Sequence, residues 1–316
     1  MGAALLTAAV LVLTGCGGPS VGDDSAGGGA AALSGPVVID GSSTVEPLSS
    51  AAAELFQSVH PDVNVTVGTS GTGGGFQKFC AGETDISNAS RPIKDEEAQR
   101  CVAQGIGFEE LQVANDALTV VVNRENTWAR CLTVDQLKRI WQPGSTVTNW
   151  NQVDPGFPNE PLTLFGPGAD SGTFDYFTDE IVGEEGASRT DYSATEDDNV
   201  IVQGVRGARG ALGYFGFTYY EENTDGLAAV AIDAGQGCVA PSAEAAQNGT
   251  YAPLSRPLFI YVSTTGLQKP QVAAFVEFYL ERNDEIVTAA RFVPMTPEQK
   301  QASLAKLGAL RERAGA

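Results

Sequence analysis

Residues 37–59 read VVIDGSSTVEPLSSAAAELFQSV and contain a complete strand, loop and helix. The apolar run 37–40 predicts a buried strand, which Gly41 ends. Apolar residues then recur at helical spacing over 45–59, and Pro61 stops the helix soon afterwards. The segment therefore predicts one β-loop-α unit whose polar loop lies at the carboxyl end of the strand.

The same alternation continues along the 316 residues. Further strands are predicted at 63–67, 85–89, 118–122, 161–165 and 258–262, and further helices at 76–81, 134–141, 174–182, 272–280 and 297–310. Strands that alternate with helices predict an α/β fold with a largely parallel sheet. The length indicates about two domains.

The charge balance excludes several classes of function. The chain has 19 Lys and Arg against 39 Asp and Glu, a formal net charge of −20. Nucleic acid and anionic lipid are both bound through clustered basic residues, so neither is predicted as a partner. With His60 as the single histidine, His-based metal clusters and Ser-His-Asp triads are difficult to build. We predict no metal and no cofactor.

The N-terminal stretch resembles the leader of a bacterial lipoprotein. Residues 3–13 are apolar, and 13–16 (LTGC) are similar to a lipobox, whose cysteine thiol is lipidated. We predict a lipoprotein signal peptide at 1–15, lipidation of Cys16, and a flexible tether at 16–36. The stretch departs from the pattern because no Lys or Arg precedes the apolar run, and a short buried helix is the alternative. The lipoprotein interpretation implies export and contact with the membrane by a lipid anchor only.

Three predicted strand-to-helix junctions share one design. They are 41–46 (GSSTVE), 68–75 (GTSGTGGG) and 168–173 (GADSGT). A helix N-terminus offers unsatisfied N–H donors and partial positive charge. Glycine lets the backbone approach an anion closely, and Ser and Thr hydroxyls add further donors. Together the three junctions predict a shared site for a small anion.

Each junction also has an ordinary structural interpretation. Ser43 and Glu46 fit a capping box, and Asp170 fits a plain helix N-cap. Phe76 follows the glycines of the second junction where a P-loop would carry lysine, so an ATPase is not predicted.

Arg91 adds a charge to the predicted anion site. It follows the strand-like stretch 85–89, and ligands of open α/β sheets sit at the carboxyl ends of strands. A guanidinium can bind an oxyanion through two parallel hydrogen bonds. The alternative for Arg91 is a surface ion pair with Asp95 or Glu96.

Five separated motifs together resemble the phosphate-binding protein of the high-affinity phosphate ABC importer. They are IDGSSTVEPL, VGTSGTGGGF, DISNASRPIK, GADSGTF and GALGYFGF, and the resemblance extends from about residue 37 to the C-terminus. It implies a type II periplasmic-binding-protein fold, two α/β lobes with a ligand cleft at a strand hinge. Lobe one would comprise 37–117 and 256–316, and lobe two 118–255.

The resemblance also implies a function and a set of ligand contacts. The chain would capture inorganic phosphate outside the cytoplasm and deliver it to membrane permease subunits of an ABC importer, as a monomer and not as an enzyme. By motif, the contacts fall on Thr44, Val45 through its backbone N–H, Thr72, Ser171, Gly172 and Thr173. To these we add Ser43, Ser70 and Ser90 as neighbouring hydroxyls, Arg91 as the cation, and Asp170 as the acceptor of the phosphate proton.

The sequence departs from the best-known members of that family at two positions. They carry a carboxylate, which accepts the phosphate proton, where this chain has Arg91, and an arginine where it has Pro167. The cation and the proton acceptor are therefore rearranged. Two other functions stay open, namely binding of another oxyanion such as sulfate or molybdate, and a serine-dependent phosphatase or hydrolase. A hydrolase needs an activating base beside its nucleophile, and the sequence has no GxSxG motif.

Apart from Cys16, four cysteines remain, and an even number in an exported chain favours disulfides. Four cysteines allow three pairings. We prefer Cys80–Cys101 with Cys131–Cys238, because each bridge then stays within one predicted lobe. Free buried thiols are the alternative.

Overall fold

The computed structural model of the protein describes Gly2 and residues 33–315. Apart from Gly2, the predicted signal peptide lies outside this part of the chain, as do the lipidation site Cys16 and most of the predicted tether. Among the helices that the structure describes, none combines the length and the apolar composition needed to cross a bilayer.

The chain alternates between strands and helices. The strands are β1 (Gly35–Gly41), β2 (Val63–Val67), β3 (Ile86–Ala89), β4 (Phe108–Asn123), β5 (Cys131–Thr133), β6 (Thr163–Gly166), β7 (Ser193–Ala194), β8 (Ala211–Gly216), β9 (Leu227–Ala229), β10 (Ala231–Asp233), β11 (Cys238–Val239) and β12 (Ser255–Ser263). The helices are α1 (Glu46–Val59), α2 (Gly71–Cys80), α3 (Asp95–Ala103), α4 (Val134–Trp141), α5 (Trp150–Val153), α6 (Gly172–Phe177), α7 (Asp198–Gly207), α8 (Phe217–Glu222), α9 (Ala243–Gln247), α10 (Thr264–Leu267), α11 (Pro270–Glu281), α12 (Asn283–Ala289) and α13 (Pro297–Ala314). A π-helical turn, Thr178–Val182, follows α6.

The main sheet has nine strands in the order β2-β1-β3-β12-β4-β8-β6-β7, with β9 beside β4. β1 lies parallel to β2 and β3, and β6 lies parallel to β7 and β8. Between these two groups, β12 is antiparallel to β3 and β4, and β4 is antiparallel to β8 and β9. The α/β prediction is confirmed, but the expectation of a largely parallel sheet is wrong, because two antiparallel strands join its halves.

The strand predicted at 118–122 is only the last part of β4, which begins at Phe108. Polar residues such as Glu110, Gln112 and Asp116 interrupt the apolar pattern of its first half. That half is held by pairing with β12, in which Ser263 lies opposite Phe108. Pairing with β12 therefore stabilises the first half of β4 as a strand, which the hydrophobic periodicity of the sequence did not indicate.

Helix α2 begins at Gly71, inside the glycine run, and not at the predicted residue 76. Its glycines are poor helix formers, but they allow the helix to pack tightly against β1. A Cβ atom built on Gly75 would lie 2.5 Å from the Cα atom of Gly41 and 3.1 Å from the carbonyl oxygen of Asp40. The helix can extend through this glycine run because its backbone packs directly on the backbone of β1. The local sequence pattern does not indicate this contact.

This contact predicts a difference between two glycines of the same helix. Gly75→Ala should lower the free energy of unfolding by about 1–3 kcal/mol, because the new methyl group meets backbone that cannot yield. Gly73→Ala should leave stability unchanged or raise it by up to about 1 kcal/mol, because alanine favours the helix. The nearest atom to a Cβ at Gly73 is 3.8 Å away. Urea unfolding measures both, and equal stabilities would contradict the packing argument.

The segment predicted as one helix at 174–182 consists of two pieces. α6 ends at Phe177, and the π-helical turn continues from Thr178. The Thr178 hydroxyl donates to the carbonyl oxygens of Phe174 and Asp175, at 2.9 and 3.0 Å. A hydroxyl that bonds backward onto the preceding turn competes with the helical ladder at this point.

The buried apolar residues form two large clusters on different parts of the sheet. One cluster draws its fully buried members from 37–114 and 258–314. The other draws its members from 117–254, with Val293 added from the C-terminal part. Two smaller clusters surround α2 and α7.

Both disulfides of the preferred pairing are present. Cys80 and Cys101 join α2 to α3, with Cα atoms 4.2 Å apart. Cys131 and Cys238 join β5 to β11, with Cα atoms 6.0 Å apart. The alternative of free buried thiols is therefore wrong for these four residues.

Candidate functional site

A cleft of about 540 Å³ opens where the three glycine- and hydroxyl-rich loops meet. One wall carries mostly small and hydroxyl side chains, with two cations: Ser42, Ser43, Thr44, Ser70, Gly71, Thr72, Gly73, Ser90, Arg91 and Lys94. The rest of the lining is Gly172, Asp175, Tyr176, Asp179, Glu180, Glu185 and Arg256. The predicted site residues that the cleft brings together are Ser43, Thr44, Ser70, Thr72, Ser90, Arg91 and Gly172. The predicted residues outside its lining are Val45, Asp170, Ser171 and Thr173.

The first loop is not held by a capping box. Val45 is the N-cap of α1, and no side chain of the described residues caps this helix end. The Glu46 carboxylate instead accepts a hydrogen bond from the Ser50 hydroxyl. The backbone N–H of Val45 donates to the carbonyl oxygen of Ser42 at 3.2 Å. The capping-box interpretation is therefore wrong, and the Ser43 hydroxyl remains available to the cleft.

The second loop is tied to the end of β1 by a buried carboxylate. Asp40 accepts hydrogen bonds from the Ser70 hydroxyl, from the Ser70 backbone N–H at 3.1 Å, and from Lys78 Nζ at 2.6 Å. Burial raises the pKa of Asp40, but the hydrogen bonds from Lys78 and Ser70 outweigh it and lower the pKa overall. Because the Ser70 proton is directed at Asp40, its hydroxyl supports the loop in this conformation.

Two further hydroxyls of this wall form a pair. Thr72 Oγ1 lies 3.0 Å from Ser90 Oγ and accepts the Ser90 backbone N–H at 3.3 Å. A pair of hydroxyls needs only one proton between them, so the second proton can point into the cleft. Thr72 and Ser90 together therefore offer at least one donor to an anion.

Arg91 forms a bidentate ion pair inside the same wall. Its two terminal nitrogens donate to the two carboxylate oxygens of Glu97, each at 2.8 Å. The hydrogen bond with Glu97 raises the pKa of Arg91. Burial by itself would raise the pKa of Glu97, but its hydrogen bonds and the positive charges of Arg91 and Lys94 together have the larger effect, and the pKa of Glu97 is lowered overall. Glu97 also accepts the Lys94 backbone N–H at 2.8 Å. The ion-pair alternative named Asp95 or Glu96, and the observed partner is Glu97, whose place at the third position of α3 turns it inward.

The third loop touches the first. A Cβ atom built on Gly172 would lie 2.8 Å from Thr44 Oγ1 and 3.3 Å from its backbone nitrogen. Ser171 caps α6 by accepting the Thr173 backbone N–H at 3.2 Å. Asp170 is exposed and is not the N-cap, so that alternative interpretation is wrong.

Four carboxylates on α6 and on the segment after it line the cleft, and sequence reasoning missed them. They are Asp175, Asp179, Glu180 and Glu185. Burial raises the pKa of Asp175, and the nearby charge of Glu185 raises it further. Burial likewise raises the pKa of Glu180, with Asp179 adding to the effect. An ionised carboxylate accepts hydrogen bonds and donates none, so this part of the cleft offers acceptors to an anion that carries a proton.

Sequence reasoning also missed Arg256, the second residue of β12, which lies opposite Asp116 of β4. Its Nε lies 3.3 Å from Asp116 Oδ2, and its Nη2 donates to Thr44 Oγ1 at 3.1 Å. Its Cζ lies 3.5 Å from the centre of the Tyr176 ring. Burial raises the pKa of Asp116, and Arg256 opposes that rise. Both residues lie outside the strands predicted at 118–122 and 258–262, so the local pattern did not indicate that they pair.

A second cavity, of about 480 Å³, shares Ser43, Thr44 and Gly172 with the lining of the cleft. Thr173 lines this cavity together with an acidic stretch that includes Asp197 and Asp198. Burial, with the neighbouring charge of Asp197, raises the pKa of Asp198 to about 6.

Comparison with known proteins places the chain in a family. The family model described as a PBP superfamily domain matches residues 26–283. The protein SphX from Synechocystis sp. is 48% identical over 265 residues, which are 83% of this chain and 79% of the relative. The phosphate-binding protein PstS from Staphylococcus saprophyticus is 39% identical over 302 residues, 95% of this chain and 91% of the relative. The chain belongs to the PstS family of phosphate-binding proteins.

A solved structure agrees with membership of the PstS family. The crystal structure of a possible phosphate binding protein from Planctomyces limnophilus is 46% identical, with a TM-score of 0.84. The match covers 88% of this chain and 99% of that one. The predicted type II periplasmic-binding-protein fold is confirmed. The PstS family is one of solute-binding proteins rather than enzymes.

Proposed function

We propose that the protein captures inorganic phosphate outside the cytoplasm and delivers it to the membrane permease subunits of an ABC importer. One observation carries the proposal, namely the convergence of Ser43, Thr44, Thr72, Ser90 and Gly172 on a single cleft from four separate chain segments. Hydroxyl and amide donors beside a guanidinium are the groups that recognise a tetrahedral oxyanion. The relative from Staphylococcus saprophyticus is a phosphate-binding protein, which supports phosphate as the ligand here.

The proposed contacts follow from what each loop offers. The hydroxyls are those of Ser43, Thr44, Thr72 and Ser90, with Ser70 as support behind them. Backbone N–H groups around Val45 and at Ser171, Gly172 and Thr173 remain proposed contacts of a liganded state. The proton acceptor that we propose is Asp175, which lines the cleft, in place of the exposed Asp170.

We propose lobes with the predicted boundaries, 37–117 with 256–316, and 118–255. The sheet supports this division, because β4 pairs with β12 as far as Ala117 and with β8 from Leu118 onward. The two large apolar clusters divide the chain at nearly the same positions. The cleft would then close by movement at these two crossing strands.

We propose that the mature protein is a monomer tethered to the outer face of the cell membrane through lipidated Cys16. The support is the lipobox-like sequence at 13–16 together with the Gly-rich stretch that follows it. Two or more acyl chains would make such an anchor stable.

Isothermal titration of the protein after removal of co-purified anion tests the ligand. Phosphate should bind with micromolar or tighter affinity, which corresponds to about −8 kcal/mol or more. Sulfate and molybdate, titrated in the same way, should bind far more weakly. Micromolar binding of sulfate without binding of phosphate would overturn the proposal in favour of another oxyanion.

No contact among the residues that the structure describes favours the alternative of a serine hydrolase. His60, the single histidine, ends α1 and packs on the ring of Phe56 with the ring centres 4.6 Å apart. It lines neither cavity described above. A serine of the cleft would therefore lack a histidine as activating base.

The net charge predicts an unusual salt dependence. A protein with a formal charge of −20 repels phosphate at long range, and salt screens that repulsion beyond about 8–10 Å. We expect the association rate constant to rise as NaCl is increased from low to physiological concentration. Stopped-flow fluorescence measures this rate constant. A rate constant that falls with added salt would show instead that a local positive field attracts the anion.

A further inference from the structure

We infer that Arg256, and not Arg91, supplies the positive charge that binds the oxyanion, with Tyr176 as the positioning residue beneath its guanidinium. This inference rests on the proposed function and names the cation of that site.

Arg91 is already paired with a buried carboxylate. Both of its terminal nitrogens donate to Glu97 at 2.8 Å, and Nη1 also donates to the carbonyl oxygen of Pro92 at 3.0 Å. Glu97 is only 6% exposed, so its charge cannot be left without a partner at low cost. An oxyanion that bound Arg91 would therefore have to share its guanidinium with a buried carboxylate of the same sign.

Arg256 is held differently. The face of its guanidinium stacks on the Tyr176 ring, 3.5 Å from Cζ to the ring centre. Stacking uses the face of the group and leaves its N–H donors in the plane, where an anion is bound. Nε makes one bond to Asp116, of 3.3 Å, and Nη2 donates to Thr44. Within the part of the chain that the structure describes, Nη1 has no hydrogen-bond partner.

The position of Arg256 joins the parts of the proposed site. It lies opposite Asp116 where the two crossing strands pair. Its hydrogen bond reaches Thr44, which itself meets Gly172 of the third loop. Tyr176 is fixed from its other end, because its hydroxyl donates to the carbonyl oxygen of Pro253 at 2.7 Å. An anion bound at Thr44 would therefore lie beside a guanidinium that is already oriented.

The deciding experiment compares two matched variants, Arg256→Gln and Arg91→Gln, by isothermal titration of anion-free protein with phosphate. We expect Arg256→Gln to weaken binding by about 10- to 150-fold, as for the loss of a hydrogen bond to a charged group. Arg91→Gln should weaken it by less than Arg256→Gln does and should mainly lower the thermal stability, because Arg91 serves the buried Glu97. The opposite ranking, or equal affinities, would overturn the inference. Absence of phosphate binding by the unmodified protein would instead overturn the proposed function.

Two further variants separate positioning from folding. Tyr176→Phe keeps the ring and should keep phosphate affinity within about 3-fold, whereas Tyr176→Leu should lose about 10-fold. Arg256→Lys keeps the charge without the planar fork and should fall between the unmodified protein and Arg256→Gln. Thermal unfolding of each variant establishes that it is folded. Full affinity in Tyr176→Leu would show that the stacked ring has no positioning role.

Discussion

Phosphate binding should weaken by about 100-fold when Gly172 is replaced by valine. A Cβ atom at this position would lie 2.8 Å from Thr44 Oγ1 and 3.4 Å from Thr44 Cα, and valine adds two more methyl groups. Overpacking of this kind costs about 1–3 kcal/mol, and the upper end corresponds to a factor above 100. The cost should appear in binding rather than in stability, because it falls on the contact between two loops of the proposed site. Titration with phosphate measures the affinity.

Gly207→Val is the matched control for Gly172→Val. Gly207 ends α7, and a Cβ atom built on it would meet nothing within 4 Å. This variant should bind phosphate as the unmodified protein does. If Gly172→Val also retained full affinity, the contact between Thr44 and Gly172 would have no part in the liganded state.

The disulfide between Cys131 and Cys238 should contribute more stability than the one between Cys80 and Cys101. The first closes a loop with a sequence separation of 107 residues, and the second a loop of 21. The entropy of loop closure in the unfolded chain predicts about 5 kcal/mol for the longer loop and about 3 kcal/mol for the shorter. The double variant Cys131→Ser/Cys238→Ser should therefore lose more of the free energy of unfolding.

Urea unfolding of both double variants, with and without reductant, provides the measurement. Reductant should destabilise each double variant further, because one bridge remains in it, and should leave a variant without all four cysteines unchanged. A larger loss in Cys80→Ser/Cys101→Ser would show that interactions in the folded state, and not loop length, determine the ranking.

The sequence alone was sufficient for the α/β class, the family resemblance and the loops of the proposed site. Strands such as 63–67 are recognised by their alternation of apolar and polar residues. Glycine and hydroxyl residues that follow a strand indicate a loop that can approach an anion closely. These signals are local, because each depends on residues within a few positions of one another. They led to Ser43, Thr44, Thr72, Ser90 and Gly172, all of which line one cleft.

Tertiary structure alone decided which charged groups meet. Arg256 faces Asp116 because β12 and β4 pair antiparallel in one particular register, over a sequence separation of 140 residues. Arg91 pairs with Glu97 for a related reason, because the carboxylate of Glu97 is buried at the start of α3 and needs a cation beside it. Local patterns report which side chains are buried, but the partner of a buried charge depends on sheet order and register. Those are set by packing between segments far apart in the chain, and so no stretch of the sequence by itself contains them.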